Sequence, residues 1–164
     1  MDVHKTNLCM HAACDDNNVA AQNELALLSG PPEPVVEVKA VQELPEIAVE
    51  ISGETYQLET NPWKYNDFQL VFDPAWDYAE FNYSAKQGEV INMHVGLDNV
   101  YRMAESNGKT YAAVGYWSTP DTFTLDYELV GYSTQDKWIL TFHDDEIAVQ
   151  EIGVTGAYTY KGKI

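Results

Sequence analysis

The chain is poor in positive charge. Its 164 residues carry nine Lys and Arg against 26 Asp and Glu, a formal net charge of −17. A phosphate backbone is gripped through Lys and Arg, so this balance argues against nucleic acid as a partner. It argues equally against docking on an anionic membrane surface. Cysteine is scarce as well. Cys9 and Cys14 both lie near the N-terminus, so neither can staple the rest of the chain, and they fix no redox compartment. No apolar run approaches the roughly 18 residues of a membrane-spanning helix. The opening MDVHKTNLCMHAACDD has no apolar stretch of the kind a secretory signal uses, and the cellular compartment stays open.

Aromatic residues are plentiful, with 11 Tyr, 5 Phe and 4 Trp, and 45% of residues are hydrophobic. Such side chains suit a pleated, half-buried surface. From about residue 54 the chain is a succession of short alternating segments. The clearest runs from Thr122 to Val130, where Phe123, Leu125, Tyr127 and Leu129 fall on one side and Thr124, Asp126 and Glu128 on the other. Successive side chains of a strand point to opposite faces, so this spelling gives one dry face and one wet face. The same reading predicts strands over 55–60, 67–73, 77–84, 89–97, 100–104, 109–117, 122–132, 137–143, 146–152 and 154–160. Turn chemistry separates them at Asp73-Pro74, Gln87-Gly88, Asp98-Asn99, Asn107-Gly108, Thr119-Pro120-Asp121 and Asp144-Asp145. Asn107-Gly108 is the strongest signal, because both residues tolerate the positive φ of a two-residue hairpin. Connections this short make neighbours antiparallel. The expected fold is mainly β: an antiparallel up-and-down barrel of about eight to ten strands, closed because a long twisted sheet curls and buries its edges.

Two parts are expected. Residues 1–43 read as a flexible leader, a short helix and a Pro-rich linker, and residues 44–164 as the barrel domain. Within the first part, 17–28 has helical spacing stopped by Gly30-Pro31-Pro32, 29–34 is the linker, and 35–41 alternates weakly enough for an extra strand. Pro45 can open one further helical turn over Glu46 to Ile51, with Gly53 closing it.

Chemistry-bearing residues are few. His4, Cys9, His11 and Cys14 are soft ligands, but the second half of a zinc site is missing, so no metal and no cofactor is expected. His94 and His143 fall opposite the apolar positions of their strands and read as solvated. Asp144, Asp145 and Glu146 sit in a turn, where water keeps carboxylates ionised. The other carboxylates are likewise expected on outer faces or turns, with ordinary pKa values and no catalytic use. Ser106-Asn107-Gly108-Lys109 matches S-x-x-K in letters, but Asn-Gly makes it a hairpin tip rather than the helix on which such a lysine reaches its serine. Four aromatics, Trp63, Trp76, Trp117 and Tyr127, are candidates for ligand contact at the mouth or inside the barrel, whose interior is expected to be mostly filled.

Several stretches together resemble a known family. They are LPEIAVEISGETYQLETN (44–61), VGLDNVYRMAE (95–105), GYWSTPDTFTLDYELVG (115–131), WILTFHDDEIAVQE (138–151) and YTYKGK (158–163). The most specific is the W-x-x-x-x-T-F-x-L-x-Y phrase that begins at Trp117. Read together they resemble the C-terminal, lipocalin-like β-barrel domain of β-lactamase and penicillin-binding-protein-like serine hydrolases. The resemblance implies a non-catalytic accessory domain that shapes substrate access, stability or oligomer contacts. Its implied partners are a catalytic serine hydrolase domain or sister subunits. In that family the catalytic serine and lysine lie upstream on a helix, and no residue here corresponds to them. His94-Val95-Gly96 matches the late H-x-G motif only as letters inside a strand. The alternative from a different class is a free-standing lipocalin-like module that binds a small apolar ligand.

Overall fold

The computed structural model describes residues 37–85 and 88–164. The expected helix over 17–28, the linker over 29–34 and the group His4, Cys9, His11 and Cys14 lie outside the described residues. Residues 37–41 form no strand. They lie instead against the loop at 97–101, where the Lys39 amide donates to the Asp98 carbonyl at 2.8 Å and Asn99 Nδ2 to the Glu37 carbonyl at 3.1 Å.

The first element is a short helix, α1 (Glu46–Ile51), opened by Pro45 in extended conformation with φ −65° and left through Gly53 at φ +83°. Ten strands follow among the described residues: β1 (Thr55–Leu58), β2 (Tyr65–Phe72), β3 (Tyr78–Ala85), β4 (Glu89–Gly96), β5 (Arg102–Ser106), β6 (Lys109–Thr119), β7 (Thr122–Leu129), β8 (Gln135–His143), β9 (Glu146–Gly153) and β10 (Gly156–Lys163). They form one sheet in the order β4-β3-β2-β1-β10-β9-β8-β7-β6-β5. All pairs are antiparallel except one parallel bridge, Gly96 opposite Val114, which joins β4 to β6 and closes the ring.

The exception has a simple cause. Strand β5 is only five residues long and begins opposite Ala113, so beyond that point β4 meets β6 directly. Farther along, side chains rather than a ladder link β4 and β5. Ser106 Oγ accepts from the Asn92 amide at 3.3 Å, and Asn107 Nδ2 donates to the Val90 carbonyl at 2.9 Å. Ser106 therefore serves as a bridge in the barrel wall. Asn107 and Gly108 adopt φ of +51° and +71°, as the hairpin reading requires.

The period-2 pattern decides what goes inside. Phe68, Leu70 and Phe72 of β2 point inward, as do Ala79, Phe81 and Tyr83 of β3 and Ile91, Met93 and Val95 of β4. The far wall supplies Phe123, Leu125 and Tyr127, then Trp138, Leu140 and Phe142, then Ile147 and Val149. Their opposite neighbours are mostly exposed or half-buried, and His94 and His143 are both exposed, but Thr124, expected on the wet face of β7, is buried. Gly115 has no room for a side chain, because a Cβ there would stand 2.5 Å from Phe123 Cζ and 2.8 Å from Val95 Cγ1.

One end of the barrel is plugged. Ala48 and Ile51 of α1 are buried in the same cluster as Phe72, Trp117, Phe123, Phe142 and Tyr56. Trp117 packs on Phe123 and Phe72 with ring centroids 5.2 and 5.4 Å away. The exit from α1 is latched to β2, with Ser52 Oγ accepting from the Phe72 amide at 2.9 Å and the Gly53 amide donating to the Leu70 carbonyl at 2.8 Å. Arg102, the chain's single arginine, ties the loops at this end by ion pairs to Asp77 at 2.9 Å and Asp98 at 2.8 Å.

Candidate functional site

The other end is open, and its chemistry differs. Here β1–β2, β3–β4, β5–β6, β7–β8 and β9–β10 turn back. Four tyrosines and a tryptophan gather at its rim, together with two carboxylates. A cavity of about 260 Å³ lies between Trp63, Tyr65, Tyr83, Tyr111, Tyr127, Leu129, Asp136 and Glu151, among others.

Trp138 packs against Tyr65 and Tyr83 of the mouth. It is fully buried at the centre of the ring cluster, with centroids 5.2 Å from Tyr65, 5.3 Å from Phe81, 6.1 Å from Tyr83, 6.2 Å from Phe68 and 6.4 Å from Tyr160. This indole and the phenylalanines of the core fill the interior.

Local backbone features set the rim. Asn61, buried, accepts from the Tyr65 amide at 3.0 Å and donates to the Tyr65 and Glu59 carbonyls at 2.8 and 3.0 Å. This clamp shapes the loop that carries Trp63, which is 39% exposed and meets Tyr158 edge-on at 5.9 Å. A β-bulge between Tyr65 and Asp67 then shifts the register of β2 against β3. Tyr65 and Phe68 are three positions apart, an odd spacing that a regular strand would send to opposite faces, and the bulge lets both face the interior.

The residue that gives the mouth its polarity is Glu151. It follows Ile147 and Val149 in the inward phase of β9, and only 2% of it is exposed. Tyr160 Oη donates to its Oε2 at 3.1 Å. Burial raises the Glu151 pKa from 4.5 to about 7, and the nearby charge of Asp136 adds to this. The Tyr160 hydroxyl that donates to it pulls the other way but does not outweigh burial. The Trp138 indole Nε1 is itself buried without a hydrogen-bond partner. Asp136 at the rim is also raised by burial. Gly153 makes room for it, since a Cβ there would stand 2.3 Å from Asp136 Oδ1. Burial also pushes the hydroxyls of Tyr65, Tyr83, Tyr127 and Tyr160 above the ordinary tyrosine value, so all four are donors at neutral pH. No Lys or Arg among the described residues lines the cavity. Lys137, the next residue along from Asp136, pairs outside the barrel with Asp126 at 3.3 Å.

Of the four aromatics singled out in the sequence, Trp63 and Tyr127 meet at this mouth. Trp117 is part of the plugged end, and Trp76 stacks on Tyr78 at 5.0 Å in a surface groove beside residues 41–44. The expectation that carboxylates stay on outer faces or turns fails at Glu151. The alternation Ile147, Val149, Glu151 was the available signal, and strand phase outranks the usual exposure of glutamate. A larger hollow, about 810 Å³, lies on the outer wall beside Tyr132, Ile152 and Val154, but it is open to solvent, so water competes for every polar group in it.

No protein family matches the chain, and no curated protein matches it. Solved structures do match. One is the fatty-acid-binding protein from brain tissue of Drosophila melanogaster, at 10% identity and a TM-score of 0.50, covering 70% of this chain and 99% of that one. At that identity the likeness concerns the fold: both chains are lipocalin-like β-barrels.

Proposed function

We propose that the chain is a lipocalin-like binding module that takes one small ligand at its aromatic mouth. The supporting observation is the cavity of about 260 Å³ whose walls include Trp63, Tyr65, Tyr83, Tyr111 and Tyr127, with the buried Trp138 packed against Tyr65 and Tyr83. That volume falls just below the roughly 300–1,000 Å³ of pockets for drug-sized molecules, so the ligand is small. The barrel neighbour is named for binding a fatty acid, which makes ligand binding a natural use of the fold. In this chain the filled interior directs the site to the rim. The test is tryptophan fluorescence during titration with small aromatic compounds and with a long-chain fatty acid. Quenching by the former, lost in Trp63→Ala and Tyr127→Ala, supports the reading. Tight enclosure of the fatty acid by the native chain would refute it.

A second reading is the accessory domain of a β-lactamase-like serine hydrolase. It is favoured by the sequence phrases around Trp117 and in 44–61 and by the exposed apolar group Tyr132, Ile152 and Val154, which a catalytic domain or sister subunit would cover. Hydrolysis of a chromogenic β-lactam by the purified chain, abolished by mutating one of its own residues, would sink it.

A further inference from the structure

The fold likeness suggests an acidic ligand, but the charge at the mouth has the opposite sign. The buried ionisable group that faces the cavity is a carboxylate, Glu151. A second, Asp136, lines the rim, and Glu89 lies close enough to raise Tyr83 and Tyr111. The groups around Glu151 are Tyr65 of β2, Asp136 and Trp138 of β8 and Tyr160 of β10, with Tyr83, Tyr111 and Tyr127 lining the same cavity. None is cationic. A ligand carboxylate would add like charge to a site already deprived of water, whereas a cation would supply the missing counter-ion.

We propose that the mouth binds a small organic cation, an amine with a compact apolar body. Its ammonium sits against the Glu151 carboxylate and its body lies among the tyrosines and Trp63. This rests on the reading of the mouth as the ligand site and adds the ligand's chemical class. Electron-rich rings favour a cation at their faces, and they do so more strongly when water is excluded. A divalent metal fits less well, because no three His, Cys, Asp or Glu side chains gather among the described residues. The net charge of −17 also raises the local concentration of cations and speeds their approach. Because burial holds the Glu151 pKa near 7, an incoming ammonium displaces its proton when binding occurs at or below neutrality.

The test uses three probes of similar shape: 2-phenylethylamine, 2-phenylethanol and 3-phenylpropanoate, titrated calorimetrically into the full chain at about pH 8, where Glu151 is ionised. The amine is expected to bind about tenfold or more tightly than the alcohol, and the carboxylate more weakly than either. Glu151→Gln is expected to remove that preference, and lowering the pH below 7 is expected to erode it in the native chain. Below pH 7 the amine's heat of binding will also vary with the buffer's ionisation heat, which a purely structural Glu151 would not produce. Equal binding of amine and alcohol overturns the cation assignment and leaves the mouth reading intact. No binding of any of the three overturns both.

Discussion

Replacing Glu151 by Gln separates the effect of burying its charge from every other acidic group in this acidic chain. An acid whose folded pKa is raised binds its proton more tightly when folded. The folded state then holds more protons than the unfolded state between the two values, so stability falls as pH rises. For Glu151 that window runs from about 4.5 to about 7. A displacement of this size corresponds to about 3 kcal/mol, and some discount for water at the mouth brings it to roughly 2–3 kcal/mol. Gln keeps the shape, can still accept from Tyr160 and never ionises. The variant is therefore expected to match the native chain near pH 4 and to exceed it by roughly 2–3 kcal/mol above pH 7, or on the order of 5–10 °C in Tm. A constant offset of up to about 1 kcal/mol from the new amide would leave the slope untouched. Asp136, also raised by burial, is present in both proteins and largely cancels in the difference. Urea denaturation at about pH 4, 5.5, 7 and 8.5 measures the difference directly. A variant less stable than the native chain at the highest pH, or a gap that does not change with pH, would show that Glu151 is not a desolvated acid.

Three further outcomes follow from the packing. Trp138→Ala removes the buried indole packed against Tyr65 and Tyr83 and is expected to cost about 3–5 kcal/mol in urea denaturation, while newly admitting a longer apolar fluorescent probe to the interior. Gly115→Val drives a branched side chain against Phe123 and Val95 and is expected to lower stability by about 1–3 kcal/mol or more; a neutral effect would mean the wall there is loosely packed. Arg102→Met strips Asp98 of its partner, and since that carboxylate is largely covered the expected loss is about 1–3 kcal/mol, read as a shifted urea midpoint with an unchanged slope.

The barrel was legible because alternation is a direct consequence of strand geometry. Thr122 to Leu129 spells one dry face and one wet face, and the structure buries Phe123, Leu125 and Tyr127. Turn positions were legible for the same kind of reason: Asn99, Asn107 and Asp144 take the positive φ that Asn and Asp tolerate. The short helix at Glu46–Ile51 followed from Pro45 and Gly53. The candidate site was only partly visible. Tyr65 fell outside its expected strand because a bulge is invisible to a period-2 pattern. Weak alternation at 35–41 suggested a strand, but among the described part, 37–41, only the Lys39 amide finds a backbone acceptor, so no ladder forms. Glu151 was overlooked because residue type was weighed above strand phase. Which aromatics meet at one end also depends on the order of all ten strands, so Trp63 and Tyr127 come together while Trp76 and Trp117 stand at the opposite end.

The most direct measurement is the ¹³C carboxyl titration of Glu151 in the free chain and in the chain saturated with 2-phenylethylamine. The account predicts a midpoint near 7 without the amine, set by burial among the tyrosines, and a drop toward the ordinary carboxylate range with it. A free-chain midpoint in the ordinary range, or one the amine does not move, would contradict a buried carboxylate that waits at the mouth for a cation.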